Sequence, residues 1–136
     1  MEKIKVEIDW ADRNYSCGYG LEGVGVVICT AKSVERLKQE FEETLRWHVE
    51  TMAQAGDELP EWLLDGDYSI EYEITTAALL RQAERFTTMA AISRVTGINQ
   101  KLLSHYASAL KIPRNRQRQK IIDGLHSIGQ EFLAFQ

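Results

Sequence analysis

Four cations lie close together in the carboxyl-terminal third of the sequence. They alternate with other residues in the run 113–120 and are Arg114, Arg116, Arg118 and Lys120. Clustered cations bind phosphates because they release condensed counterions. Pro113 is typical of the first turn of a helix, where free N–H groups also favour anions. We therefore expect these four residues to contact the phosphate backbone of a nucleic acid, and the alternative is an ordinary solvated basic turn.

A second polar set precedes this run and contains no acid. The segment from Asn99 to about Leu110 has helical spacing, and its apolar residues should turn inward. Those inward residues are Leu102, Leu103, Tyr106 and Leu110. The outward residues are then Gln100, Lys101, Ser104, His105 and Ser108. Glutamine can bind adenine through two hydrogen bonds, lysine can donate to guanine, and serine can bind either base. These five residues are predicted to contact base edges in the major groove, and the alternative for His105 is contact with a phosphate or with nothing.

The residues before this helix have the pattern of a helix-turn-helix. Thr87 or Thr88 can cap a helix that carries Met89, Ile92 and Val95. Ser93 is small where two helices must cross, Gly97 suits a turn with positive φ, and Ile98 follows as an apolar plug. Residues 91–100 resemble the helix-turn-helix core of phage-repressor-like regulators, which implies binding to double-stranded DNA. The alternative is a three-helix core with a glycine turn that binds no DNA.

Two further helices are predicted around this core. The first is marked by Leu79, Leu80, Ala83 and Phe86. The last starts at Pro113, and its expected buried stripe is Ile121, Ile122, Leu125, Ile128, Phe132 and Leu133. The apolar residues 132–135 should be packed, either in a dimer interface or against their own chain. Regulators of this type bind two half-sites as a two-fold dimer, so a homodimer or higher homo-oligomer is expected.

The charge is divided unevenly along the chain. Residues 1–75 contain 7 Lys or Arg against 17 Asp or Glu, a net charge of −10. Residues 76–136 contain 9 against 3, a net charge of +6. Unless the division is a chance drift, it predicts two domains with these boundaries and different partners. The acidic domain should repel nucleic acid and attract a basic protein.

The acidic half alternates between apolar and polar residues as strands do. Strands are predicted over residues 2–10, 14–21, 24–30 and 68–74, with a tight turn at Glu22 and Gly23. Ser33 is expected to cap a long amphipathic helix that ends near Gly56, and a loop should follow through Pro60 and Gly66. The result is β-β-β-α-β, so the whole chain is predicted to be α+β.

Trp47 lies on the polar side of the long predicted helix. Its neighbours on that side are Glu40, Glu43 and Glu50. An exposed tryptophan can anchor a protein interface. The alternative is that a neighbouring loop, such as the one with Trp62, covers it.

A β-β-β-α-β domain followed by a helix-turn-helix resembles the HicB-like antitoxins of type II toxin–antitoxin systems. Locally, residues 21–24 resemble that family's turn after the second strand, and residues 33–35 resemble its helix cap. Glu22 stands where the family usually has proline, and residues 35–37 differ from its usual Glu-Ala start. The resemblance implies a partial ribonuclease H-like domain that neutralises a small basic mRNA-cleaving toxin, and a DNA-binding domain that represses the operon encoding both. The alternative is a stand-alone regulator whose first domain dimerises or senses a ligand.

Other functional classes fit the sequence poorly. A ribonuclease H-like nuclease needs several converging carboxylates, and Asp9 has no obvious second acid to match it. No phosphate-binding loop or nucleophile–base set appears, so we expect no catalysis, cofactor or metal. His48 should be a packed core residue. Cys17 should lie opposite Ile28, which predicts no disulfide with Cys29. Short apolar runs and a charged first segment predict a cytoplasmic protein without a membrane span or signal peptide.

Overall fold

The chain divides into two compact units, Met1–Thr75 and Thr76–Gln136. A computed structural model describes residues 1–21 and 25–136. The first unit combines a four-stranded mixed sheet with two helices, and the second unit contains four helices. The chain is therefore α+β, as predicted. The division falls where the local net charge changes from negative to positive.

The strands of the first unit form one sheet. They are Glu2–Ala11 (β1), Asn14–Leu21 (β2), Gly25–Ala31 (β3) and Tyr68–Ile74 (β4). Their order is β3-β2-β1-β4, in which β2 is antiparallel to both neighbours and β4 is parallel to β1. All four strands predicted from alternation are confirmed. The first and third strands each end one residue later than predicted, and residue 24 lies outside the described residues.

The long helix α1, Val34–Gln54, contacts β2 and β3. Ser33 begins it as predicted, because its Oγ accepts the N–H of Arg36 at 3.2 Å. The inward residues of β1 are almost completely buried and are Ile4, Val6 and Ile8. The buried residues of the helix are Leu37, Phe41, Leu45 and Val49. The apolar stripe of α1 and the alternate residues of the strands together form the core of this unit.

The connection from α1 to β4 contains a helical turn where the sequence predicts a loop. Glu61–Leu64 form α2, directly after Pro60. The proline ring restricts φ to a value that suits a helix start. Leu63 is 2% exposed, so the turn gains stability by burying this side chain. The loop prediction is therefore wrong at these four residues.

The two cysteines lie directly opposite each other on β2 and β3. The prediction that Cys17 faces Ile28 is wrong, because Cys17 pairs with Cys29 and Gly18 pairs with Ile28. Pairing begins with Leu21 opposite Gly25, so three residues separate the strands where the prediction had two. A shift of one residue changes every facing pair. Both thiols are buried and free. The predicted turn at Glu22 and Gly23 lies outside the described residues.

Four helices make up the second unit. They are Thr76–Ala83 (α3), Met89–Thr96 (α4), Gln100–Ala107 (α5) and Asn115–Leu133 (α6). Each contributes at least one fully buried side chain to the core, and these include Leu80, Ile92, Leu103 and Ile121. Across residues 1–21 and 25–136, no helix has both the length and the apolar composition needed to cross a bilayer.

The C-terminal end of α5 and the start of α6 differ from the prediction. Leu110 was expected to turn inward, yet it is 71% exposed. The helix ends at Ala107 because Ala109 adopts a left-handed conformation, with φ of 60°, and the N–H of Leu110 donates to the carbonyl of His105. This Schellman-type closure stops the helix before Leu110. Pro113 is not in the first turn of α6, because Arg114 is extended, with ψ of 161°, and forms the N-cap.

Besides Leu110, several apolar side chains of the predicted helical patterns are exposed in this unit, and Val95 is one of them at 45%. Phe86 follows the end of α3 and is 73% exposed, and Phe132 and Leu133 are 64% and 77% exposed. The core cluster extends along α6 only as far as Ile128. Within the second unit, residues 132–133 lie beyond the packed core, so the predicted stripe is too long by one turn. The adjacent Phe135 is also exposed.

Cys17 provides a test of the sheet register and its burial. Burial raises the pKa of Cys17 from 9.0 to about 12, and the facing Cys29 adds to the effect. Because the thiolate is the nucleophile, the single thiol of a Cys29→Ala variant, which keeps the burial but loses the effect of Cys29, should react with a disulfide reagent at least about tenfold more slowly when folded than in urea. The raised pKa also means that the unfolded chain loses the proton first. Stability should therefore fall as pH rises from 9 towards 12.

The disulfide reagent releases a coloured thiolate when it reacts, and the absorbance of that product gives the rate. A Cys17→Ala, Cys29→Ala double variant gives the background rate. Equal rates in the folded and unfolded states of the Cys29→Ala variant would show that Cys17 is not enclosed as described.

Candidate nucleic-acid interface

Side-chain hydrogen bonds stabilise the turn between α4 and α5. Gly97 adopts φ of 76° and ψ of 5°, the left-handed conformation predicted for it. Ser93 Oγ donates to the carbonyl of Ile98 at 2.6 Å. Thr96 Oγ1 donates to the carbonyl of Ile92 at 2.7 Å and accepts the N–H of Ile98 at 3.2 Å. The two helices are therefore joined by a turn whose geometry is fixed on both sides of the glycine.

Both helices of the pair begin with a side-chain cap and share one core. Thr88 Oγ1 accepts the N–H of Ala91 at 3.0 Å, and Asn99 Oδ1 accepts the N–H of Lys101 at 2.8 Å. Ile98 is buried in the turn, as its role of apolar plug requires. The inner face of α5 is buried at Leu103 and Tyr106. Burial of this face leaves the opposite face of α5 to solvent.

Four of the five predicted base-contacting residues are exposed. Gln100, Lys101 and Ser104 lie within the first turn and a half of α5, on the face away from the core. Ser108 is exposed at the C-cap, where its hydroxyl donates to the carbonyl of Ser104 at 3.1 Å. His105 is half-buried. The structure thus brings together the three residues near the N-terminus of α5 and places Ser108 about two turns from Gln100.

No acid of the second unit lies on α5. Glu84 forms a salt bridge with Arg81, with 3.1 Å between Nη1 and Oε1. Asp123 accepts a hydrogen bond from Gln119 at 2.9 Å on α6. Glu131 lies near the far end of α6. The exposed face of α5 therefore has no anionic group of its own to repel phosphates.

A basic depression of about 420 Å³ is formed by the α5–α6 connection and the start of α6. Three of the four predicted phosphate-binding cations line it, and they are Arg114, Arg116 and Lys120. Lys111 lines it as well and was not among the predicted residues, although it is a cation only three positions before Arg114. The first turn of α6 adds free N–H groups to the same region. Four cations around one concave surface can bind a phosphate group.

Arg118 differs from the other predicted cations. Its Nη1 donates to Thr76 Oγ1 at 2.8 Å, and the side chain is half-buried. It does not line the basic depression. This hydrogen bond ties the first turn of α6 to the start of α3.

The predicted partner-binding residues of the first unit lie along one stripe of α1. Trp47 is 64% exposed, and Trp62 packs instead against Tyr68, with 6.2 Å between ring centroids. Glu43 and Glu50 are exposed on the same stripe, three or four residues from Trp47. Glu40 is half-buried and forms a 2.9 Å salt bridge with Arg36. The tryptophan is thus flanked by two exposed carboxylates.

The side chain of Asp9 is held by hydrogen bonds within the first unit. Its Oδ1 accepts the N–H of Trp10 at 2.8 Å and the hydroxyl of Thr75 at 2.9 Å. Among residues 1–21 and 25–136, no group of three or more His, Cys, Asp or Glu side chains is arranged to hold a metal ion. His48 on α1 is half-buried.

Comparison of the chain with models of protein families, with curated proteins and with solved structures found no match.

Gly124 tests the packing that holds α6 against α4. A Cβ at this glycine would lie 2.5 Å from Thr96 Cγ2, which is too close for normal packing. We expect Gly124→Ala to lower the free energy of unfolding by about 1–3 kcal/mol, because the two helices must separate slightly. Urea denaturation followed by circular dichroism measures the change.

Gly129→Ala is the matched control on the same helix. A Cβ there meets no atom within 4 Å, so alanine should stabilise the protein by about 0.5–1 kcal/mol through its higher helix propensity. Equal effects of the two substitutions would contradict the described contact between α6 and Thr96.

Proposed function

We propose that the protein is a DNA-binding transcriptional regulator. The observation that carries the proposal is the exposed, acid-free first half of α5, held by the turn at Gly97. A helix in this position of a helix-turn-helix lies in the major groove, where its N-terminal residues reach base edges. Gln100, Lys101 and Ser104 then serve as the base-contacting residues, with Ser108 and His105 further along the helix.

The basic depression supplies the sequence-independent part of the affinity. Contacts to phosphates fix the orientation of the protein on the duplex, and contacts to bases provide specificity. Arg114, Arg116 and Lys120, with Lys111, are the phosphate-binding residues in this proposal. Arg118 acts mainly in holding α6, as its bond to Thr76 indicates.

We further propose that the first unit is the partner-binding domain of a HicB-like antitoxin. The element order β-β-β-α-β, interrupted only by the short α2, is compatible with the partial ribonuclease H-like domain that the resemblance implies. The net charge of −10 favours a basic partner, because complementary charge increases the rate of association. A small cationic mRNA-cleaving toxin has this character. The whole protein would then neutralise the toxin and repress its own operon.

The α1 stripe is the proposed contact surface for that toxin. Trp47 supplies a large apolar anchor, which is typical of residues that dominate binding energy. Glu43 and Glu50 on either side would attract cations of the partner. Without a toxin gene beside its own, the protein would act as a stand-alone regulator whose first domain dimerises or senses a ligand.

Removal of two cations from the basic depression should weaken binding to every DNA sequence. Each phosphate contact contributes about 0.9 to the slope of log affinity against log salt concentration. We therefore expect the Arg116→Ala, Lys120→Ala double variant to lower that slope by about 1.8. Fluorescence anisotropy with duplexes from upstream of the gene, titrated at several salt concentrations, measures it.

The matched control removes the same charge from the exposed face of β1, as Lys3→Ala with Lys5→Ala. This variant should retain the wild-type slope. Lys101→Ala with Ser104→Ala should instead reduce the preference for the best duplex over a scrambled one. An unchanged slope in the Arg116, Lys120 variant would exclude the depression as the phosphate site. Absence of wild-type binding to any duplex would overturn the proposed DNA-binding function.

Reversal of charge beside Trp47 should impair toxin binding. In the Glu43→Lys, Glu50→Lys variant, the surface would repel a cationic partner, so we expect affinity for the neighbouring gene's basic product to fall at least tenfold. Isothermal titration calorimetry with the purified, catalytically inactivated product measures the affinity.

The control variant makes the same charge change on β4, at the exposed residues Glu71 and Glu73, by substitution with lysine. An equal loss in both variants would indicate a general effect of net charge and would remove the α1 stripe from the proposal.

A further inference from the structure

The second unit has an apolar groove at the end remote from the α5–α6 connection. Its volume is about 260 Å³, and we call it the α3–α6 groove. Its walls come from the end of α3 and its following residues, including Leu79 and Phe86, and from α6, including Leu125 and Phe132. Gly129 lies on α6 among these residues, and a Cβ there would meet nothing within 4 Å. The groove is therefore open at the position where α6 lacks a side chain.

Large apolar side chains project from the surface around this groove. Phe86, Phe132 and Phe135 are 73%, 64% and 78% exposed, and Leu133 is 77% exposed. The rings of Phe132 and Phe135 lie 6.5 Å apart. A groove and a set of projecting rings thus occur on the same part of one unit.

We propose that the α3–α6 groove is the homodimer interface of this protein, in which each copy inserts aromatic side chains of its last helical turn into the groove of the other. A two-fold interface uses the same surface on both copies, so that surface must be complementary to itself. The α3–α6 groove meets this requirement because it contains both a cavity and the rings that can fill it. A partner of another kind would have to supply either rings that fill the groove or a cavity that receives the exposed rings, whereas a second copy supplies both.

The exposed apolar area is of the size that a dimer needs. A phenylalanine side chain buries roughly 150–250 Å², so the three exposed rings offer about 300–500 Å² on each copy. A stable interface buries roughly 800 Å² on each partner. The rings alone supply about half of that area, and Leu133 with the groove walls adds more. An apolar patch of this size on a single chain is often functional.

This inference rests on the proposed DNA-binding function for its biological meaning, since a dimer presents two α5 helices to two half-sites. The interface itself lies on other residues, because neither α5 nor the basic depression contributes to the groove. Dimerisation can therefore be measured without DNA, and DNA binding can be measured on a single half-site.

The test uses the full chain and one obstructing substitution. Gly129→Arg fills the groove with a long charged side chain, and the open space around Gly129 allows the single unit to fold. Sedimentation equilibrium should give twice the 15.5 kDa mass of one chain for the wild type. Over the same range of concentrations, Gly129→Arg should have the mass of one chain. Its dimer dissociation constant should be at least about a hundredfold larger than that of the wild type. Phe135→Ser should also weaken the dimer, because it removes one inserted ring.

Gln130→Arg is the matched control, since it places the same side chain on the next, exposed residue of α6, which does not line the groove. This variant should remain dimeric. Circular dichroism establishes that each variant is folded. A monomeric wild type would overturn the inference and leave the groove to a different partner. A Gly129→Arg variant that dimerises as well as wild type would assign dimerisation to another surface.

DNA binding separates this inference from the proposed function. Gly129→Arg should bind a single half-site with wild-type affinity and salt dependence, but should lose cooperative binding to a pair of half-sites. If wild type dimerises through the groove but binds no DNA, the interface stands and the proposed function fails. If all variants bind two half-sites with equal cooperativity, the groove does not join the copies on DNA.

Discussion

Gly97 adopts a left-handed backbone conformation, and this one turn sets the direction in which α5 leaves α4. A side chain at this position would disfavour the conformation by crowding the following carbonyl. The hydrogen bonds of Ser93 and Thr96 then hold Ile98 in place, so the turn and the start of α5 form one rigid piece. The same end of α4 also receives α6, because Gly124 lets the two helices approach at Thr96. The orientation of α5 and the position of the basic depression therefore depend on a single tightly packed corner.

The two units differ in the sign of their net charge and therefore in the charged groups that they attract. Seventeen acids in residues 1–75 make an electrostatic surface that disfavours phosphates, whereas residues 76–136 carry three acids and nine cations. Two of those three acids have partners in Arg81 and Gln119. The cations around the depression consequently keep their attraction for anions. In the proposed function, this division lets one chain bind nucleic acid and a cationic protein without either surface neutralising the other.

The parts of the fold set by neighbours along the chain were predicted well. Ser33 and Thr88 cap their helices as predicted, since a side-chain hydroxyl can reach an N–H three residues later without help from the rest of the protein. The exposure of Lys101 and Ser104 also followed from helical periodicity. The register of β2 and β3 did not, because one additional residue between the strands moved Cys17 from Ile28 to Cys29. Periodicity identifies a strand but says nothing of the loop that aligns it with its neighbour.

Several features of the candidate sites were decided by tertiary contacts. Arg118 belongs to the same basic run as Arg116, yet the packing of α6 places its guanidinium against Thr76. Lys111 joins the basic depression because the chain reverses after Ala109. The sequence by itself determined the two oppositely charged halves, the elements within them and the polar face of α5, since these depend on composition and local periodicity. Only the tertiary structure decided which cations converge and which apolar side chains stay uncovered, because both depend on residues distant in the chain.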